Sequence, residues 1–221
     1  MSARRLRDRI LRRAHHAGLD VNSPLLENLE TYYSELARWN RRLNLTALPL
    51  EGEGADQAMD RLLIEPVLTA KLIAPSAHRL MDIGSGGGSP AIPIKLARRD
   101  LQLTMVEVKV RKCAFLRQVA RRLALTDANV ENSRFEELLA RPDMHESFDV
   151  MTVRAVRLEP TVWNGLQAFV RPGGQIINLA ASPETAGVPP PLFRVAAHAL
   201  PLPVRTYAVV VEKRALPLSS T

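Results

Sequence analysis

Apolar and polar positions follow two rhythms along this chain. Up to about residue 75 the period is helical. Within residues 3–17, Leu6, Ile10, Ala14 and Ala17 fall on one stripe. A second stripe, Leu25, Leu29, Tyr32, Tyr33 and Leu36, follows Ser23-Pro24. Ser23 is the expected cap and Pro24 suits a first turn, so a helix is expected from there to about Trp39. Trp39-Asn40-Arg41-Arg42-Leu43-Asn44-Leu45-Thr46 comes next. Two asparagines and a threonine beside a tryptophan predict a hydrogen-bonded corner rather than a continued helix. Residues 51–54 read as a loop and 59–73 as helical, with Pro66 inside.

From Leu80 the rhythm changes to short apolar runs alternating with amphipathic stretches. Strands are expected at 80–83, at 103–107, from 130, at 148–153 and at 175–179. Helices are expected at 91–99, 111–123, 135–140 and 160–170, and Pro172-Gly173-Gly174 as a turn. This alternation predicts a parallel sheet with helices on both faces. Residues 182–191, rich in proline and small side chains, read as a loop. Residues 193–200 and 204–212 read as an antiparallel strand pair closing the sheet. The expected organisation is an α/β fold, with a helical extension over 1–75 packed on a core domain over 76–221.

The most specific chemistry lies where the rhythm changes. Leu80-Met81-Asp82-Ile83 runs into Gly84-Ser85-Gly86-Gly87-Gly88-Ser89-Pro90, and a helical pattern opens at Ala91. Strand, glycine turn and helix let a backbone lie against a nucleotide-like cofactor. A dinucleotide fingerprint in this register would place its third glycine where Ser89 stands. The tighter G-x-G-x-G spacing, with Asp82 inside the motif, favours S-adenosylmethionine over a nicotinamide cofactor.

Ligands of open α/β sheets bind at the carboxyl ends of the strands, where three more candidates fall. Glu107 ends the second strand, 19 positions past Gly88. It is suited to accept hydrogen bonds from ribose hydroxyls, or to pair with Lys109 or Arg111. Ser133-Arg134-Phe135-Glu136 follows the third strand and either frames an adenine or starts a helix with Ser133 as cap. Val153-Arg154-Ala155 follows the fourth, placing an arginine to orient the cofactor, to contact an RNA phosphate, or simply to face solvent.

Thirty basic against 23 acidic residues give a net charge of +7 and a pI near 10.2, which fits an anionic partner or a merely basic surface. Six arginines, Arg4, Arg5, Arg7, Arg9, Arg12 and Arg13, load the first helix against Asp8 alone. They read as a phosphate-contacting arm or as a solvated face. A second basic run, from Lys109 to Arg122, contains no acid. Cys113 is the sole cysteine, which excludes an intramolecular disulfide framework, and it reads as a small core residue. His15 and His16 are adjacent and point to different faces, so no metal site is expected. No apolar stretch is long enough to span a bilayer and no secretory signal pattern is present, so a cytoplasmic location is expected.

Together these residues resemble the RsmG (GidB) family of bacterial small-subunit ribosomal RNA methyltransferases. The resemblance covers about residues 31–211. It is carried by the 39–46 corner, the 82–90 glycine motif, Phe115-Leu116-Arg117-Gln118-Val119 and Val153-Arg154-Ala155. It implies a Rossmann-like class I methyltransferase fold with a seven-stranded, mostly parallel sheet behind a helical extension. It implies methyl transfer from S-adenosylmethionine to N7 of a guanine in 16S ribosomal RNA, naked or in the ribosomal particle, without an obligate protein partner. Cofactor contacts are implied at Gly84, Ser89, Phe135, Glu136, Arg154 and Glu107, beside Asp82, Gly86 and Gly88 of the turn. RNA contacts are expected at Arg41, Arg42, Asn44 and Arg154.

The chain also departs from the family pattern. Leu62, Glu65 and Pro66 stand where members usually carry His and an Asp-Ser pair, and Ala180 where they carry lysine. A small-molecule methyltransferase and a non-catalytic RNA-binding relative are the alternative readings. Guanine N7 has an in-plane lone pair and no proton, so attack on the sulfonium methyl requires alignment rather than a general base.

Overall fold

The computed structural model describes residues 3–154, 158–184 and 187–214. Ala155 of the Val153-Arg154-Ala155 motif and part of the 182–191 loop therefore lie outside the described residues. Four helical segments come first: α1 (Ala3–His16), α2 (Ser23–Leu43), α3 (Ala55–Met59) and α4 (Glu65–Ala70). Then follow β1 (Arg79–Ile83), α5 (Ala91–Ala97), β2 (Gln102–Val106), α6 (Val110–Arg122), β3 (Ala128–Glu131) and α7 (Phe135–Leu138). The chain continues through β4 (Phe148–Arg154), α8 (Pro160–Leu166), β5 (Val170–Ala180), β6 (Leu192–Ala199) and β7 (Tyr207–Lys213).

The seven strands form one sheet in the order β3-β2-β1-β4-β5-β7-β6. The first five are parallel, and β7 runs antiparallel between β5 and β6. Ile83 at the end of β1 pairs with Val106 of β2 and Val153 of β4, so three strands end level at the point where connections leave in opposite directions. That switch point is where an open sheet offers a crevice. Each face has its own core. One is continuous from Leu6 and Ile10 of α1 through Leu29 and Leu36 of α2 to Leu80 and Phe115, so the N-terminal helices share their core with the sheet. The other gathers Met81, Ile83, Phe148, Met151 and Trp163 under α7 and α8.

The helical boundaries differ from expectation for local reasons. Asn22, not Ser23, caps α2, its Oδ1 accepting from Leu25 N at 2.9 Å. The helix continues past Trp39 to Leu43 and stops because Asn44 turns left-handed at φ 49°. The 59–73 helix instead starts at Ala55, ends at Ala70 and contains a wide turn over Asp60–Ile64, in which Glu65 N–H reaches Asp60 O. Pro66 has no N–H to give, and the widened turn just before it absorbs that loss.

Among the strands, β7 starts at Tyr207 rather than 204, since Leu200 N–H bonds Thr206 O at 2.9 Å and closes a loop before it. The expected turn at Pro172-Gly173-Gly174 is a bulge inside β5, where the register passes from Phe148↔Val170 to Val150↔Gln175. Val170 accordingly belongs to β5, and α8 ends at Leu166.

Half of the arginine arm is spent inside the fold. Arg7 pairs with Glu30 at 3.3 Å, Arg9 with Asp56, and Arg13 with Asp60 at 2.8 Å, tying α1 to α2, α3 and the wide turn. Arg4, Arg5 and Arg12 have no acidic partner among the described residues. No described helix is long and apolar enough to cross a membrane, and the described residues contain no cluster of metal-ligating side chains.

Candidate cofactor and transfer site

The glycine turn is held at both ends by backbone. Gly84 and Ser85 N–H both donate to Val106 O, at 2.9 and 3.0 Å, and Ile92 N–H donates to Gly88 O at 2.7 Å. Gly84, Gly86 and Gly88 have φ of 73°, 52° and 85°, a region costly for any residue with a Cβ. The functions of the last two separate. A Cβ on Gly88 would stand 2.5 Å from Ile92 Cδ1, so its bareness serves packing. A Cβ on Gly86 would meet only Gly84 O at 3.6 Å and Lys112 Nζ at 3.9 Å, ordinary contacts, so packing does not require its bareness.

Glu107 is 7% exposed, and both its oxygens accept backbone hydrogen bonds, Oε2 from Gly86 N at 2.9 Å and Oε1 from Lys109 N at 2.8 Å. The expected salt bridge to Lys109 or Arg111 is replaced by this amide pair. Two of the roughly four acceptor positions of a carboxylate stay free. Glu107 also lines an apolar slot of about 200 Å³ with Gly84, Val106, Phe135 and Glu136. The Phe135 ring is seated against α8, where a Cβ on Gly165 would lie 2.9 Å from Cε2. Ser133 is not the cap of α7; its hydroxyl donates to Glu137 Oε2, which reaches back to Arg134 N at 3.1 Å.

A cavity of about 360 Å³ also opens at Gly84, lined by the turn, Ser89, Arg154, Arg61, Lys112 and the corner residues Leu45 and Thr46. The hydrogen-bonded corner forms, but the chain leaves the helix only at Asn44, since 39–43 continue α2 against expectation. Asn40 Nδ2 donates to Thr46 O at 3.1 Å while Thr46 N donates to Asn40 Oδ1 at 2.9 Å. Tyr32, which sequence alone places in the core, donates its hydroxyl to Gly87 O at 2.7 Å. Burial pushes its phenol far above the usual range, so it remains a donor.

One expected site residue, Asp82, is placed differently, and another, Arg154, carries partners the sequence did not show. Asp82 is 1% exposed and does not line either space; its Oδ1 accepts from Thr152 Oγ1 at 2.6 Å and its Oδ2 has no partner. Burial pushes it up to about 6, against the Thr152 hydrogen bond. Arg154, at the end of β4, lines the cavity, as an arginine placed to face the pocket should. It donates through Nη1 to Arg61 O at 2.6 Å and Ser89 Oγ at 3.0 Å, and through Nη2 to the fully buried Glu65. Burial holds its guanidinium below the ordinary value while Glu65 pulls it back up.

Glu65 was legible only as a departure from the family pattern, yet it supplies Arg154's counter-charge. Arg61 sits 4.0 Å from the same carboxylate at helical spacing, the one sequence signal that could have revealed the pair. Arg41 and Arg42 are both exposed: Arg41 pairs with Glu51 at 3.2 Å, while Arg42 and Asn44 border the first turn of α6. Ala180 ends β5 beside Arg154, whose partner across the ladder is Leu179.

Sheet order, switch point and glycine cradle define the Rossmann-like fold of class I, S-adenosylmethionine-dependent methyltransferases. A solved structure titled as a SAM-dependent methyltransferase from Aquifex aeolicus superposes with a TM-score of 0.56 at 11% identity, over 82% of this chain and 98% of that one. The family model for rRNA small subunit methyltransferase G (GidB) matches residues 25–186, and the chain belongs to that family. Proteins named Ribosomal RNA small subunit methyltransferase G are similar to it. The one from Roseiflexus castenholzii is 35% identical over 77% of this chain and 71% of its own length. The one from Syntrophotalea carbinolica is 36% identical over 63% of this chain and 61% of its own length.

Proposed function

We propose that this chain transfers a methyl group from S-adenosylmethionine to N7 of a guanine in small-subunit (16S) ribosomal RNA. The observation that carries the reading is the pair of spaces that share Gly84 in their walls. One is an apolar slot beside a carboxylate with free acceptor positions, and the other a cavity walled by the 39–46 corner. The residues fit the cofactor. Glu107 would take the ribose hydroxyls, Phe135 and Glu136 would border the adenine, and the bare backbone at Gly86 would admit the amino-acid portion. Arg154 and Ser89 would bound that portion from the β4 side. The cofactor supplies an electrophilic methyl group, and the chain's own task is to align it and keep water away.

The cavity wall fits the N7 assignment. Its described side chains include Gln57, Arg61, Ser89, Lys112 and Arg154 but no carboxylate or imidazole. A nucleophile that carries no proton needs neither. Family membership supports ribosomal RNA as the substrate class, and the net charge of +7 supports an anionic partner.

The test is transfer of labelled methyl from S-adenosylmethionine to small-subunit RNA and particles, followed by chemical cleavage specific for N7-methylguanine. Label that resists that cleavage and maps to another ring position would overturn the N7 assignment. Ala180, in place of a lysine beside the site, favours a small-molecule acceptor as the second reading. Label on small molecules with none on RNA would establish it.

A further inference from the structure

A second charged feature lies next to the cavity. The last turn of α2 and the first turn of α6, distant in sequence, bring Arg42, Lys109, Arg111 and Lys112 around a depression of about 290 Å³ that also includes Asn44 and Val110. No carboxylate of the described residues comes within 4.0 Å of any of these four cations. That sets them apart from Arg7, Arg9, Arg13 and Arg41, which the fold neutralises. Like charges brought together without a counter-charge repel one another, so the arrangement costs stability unless an anion binds there.

Two further details indicate which anion. Val110, 68% exposed, stands between Lys109 and Arg111 in the depression, with Leu43 beside it, whereas Val108 borders the slot at Glu107. Apolar surface interleaved with charge matches a nucleotide strand, with apolar base faces and charged phosphates, better than a free inorganic anion. In addition, Lys112 lines both this depression and the transfer cavity, its Nζ 3.9 Å from where a Cβ on Gly86 would stand. A strand whose phosphates lie against Lys109 and Arg111 would pass Lys112 on its way to the cavity mouth.

We propose that this depression docks the sugar-phosphate backbone of the substrate RNA beside the target guanine. The proposal rests on the RNA methyltransferase reading above. Lys109 and Arg111 are exposed and neither lines the cavity, so their loss is expected to leave the cofactor site intact. The test compares the full chain with the double variant Lys109→Gln/Arg111→Gln. Affinity is measured for deproteinised small-subunit RNA and for the particle across a salt series, and S-adenosylmethionine binding by calorimetry.

The slope of log affinity against log salt is expected to fall by roughly 1.4 to 1.8, at about 0.7 to 0.9 per phosphate contact. KM for RNA is expected to rise while kcat and cofactor affinity hold, and the charge-conserving Lys109→Arg/Arg111→Lys variant is expected to restore the slope. An unchanged slope with both substrates would overturn the proposal. Weakened binding to the particle with full affinity for naked RNA would overturn it too, by assigning the surface to a ribosomal protein. A native chain that binds cofactor but neither binds nor methylates RNA would remove the underlying reading, and this surface with it.

Discussion

Asp82 sits beneath the glycine turn as a buried carboxyl with one hydrogen bond, from Thr152, and an unpartnered Oδ2. Burial raises it from 3.8 to about 6. Between those values the folded chain holds a proton that the unfolded chain has released. Folding is therefore most favoured by this group below about pH 4; that advantage is lost as pH rises and is gone above about 6. At about 1.4 kcal/mol per pH unit, the swing is on the order of 3 kcal/mol. The perturbation that isolates it is Asp82→Asn. The amide can keep the Thr152 hydrogen bond, and any cost of burying its NH2 is independent of pH. Asp149 and Asp100, whose pKa values are lowered, change stability in the opposite sense at lower pH and are common to both proteins. Urea unfolding of both from pH 4 to 8 should show the native chain losing up to about 3 kcal/mol relative to the variant, all of it before neutrality. A difference that is flat across this range, or that moves in the native chain's favour as pH rises, would refute the reasoning.

The site offers three sharper tests. Glu107→Ala removes the charged acceptor for ribose and should weaken S-adenosylmethionine binding by about 10- to 100-fold, at about 1.5–3 kcal/mol for a hydrogen bond to a charged group. Unchanged affinity in calorimetry would take Glu107 out of the ribose role. Gly86→Ala and Gly88→Ala should differ in kind. The first puts a methyl into the cradle and should cut cofactor affinity with a stability loss of about 1 kcal/mol. The second drives a methyl against Ile92 and should cost about 2–4 kcal/mol in unfolding; equal effects on both readouts would contradict the assignment. Glu65→Gln leaves Arg154 buried without its counter-charge and should destabilise the chain by about 3–5 kcal/mol, measured by urea unfolding at neutral pH. A near-neutral result would mean that Arg154 finds another partner.

The sequence made the glycine turn, Glu107 and the parallel core legible because these are set locally, by strand length and by glycines that follow a strand. What it hid depends on partners far along the chain. Glu65 looked like a departure because its role exists only through Arg154, 89 positions away. Tyr32 looked like core and is core; only its hydroxyl, bonded 55 positions away, belongs to the site. Asp82 was expected to touch cofactor because it lies in the motif, but strand alternation puts it on the same face as Leu80, the one whose core the N-terminal helices share, where it is 1% exposed. In the N-terminal helix, density of arginine suggested an arm, and the acids that neutralise half of it arrive on later helices. The wide turn at Asp60–Ile64 had no signature, since five residues cannot distinguish its period from that of an ordinary helix.

The glycine turn and the 39–46 corner, read separately as a cofactor loop and a family signature, are two sides of one contact. Gly87 has no left-handed backbone to explain it. A Cβ there would stand 3.1 Å from Leu36 Cδ1 and 3.4 Å from Leu45 Cβ, so the corner lies close against the turn and would have to give by a few tenths of an ångström to admit a side chain. The reciprocal Asn40–Thr46 bonds hold Leu45 in that position, and Tyr32 fixes the same Gly87 from α2. The helical extension thereby walls the same cavity that the glycine turn lines. A change in the corner should thus reach the cradle through Gly87.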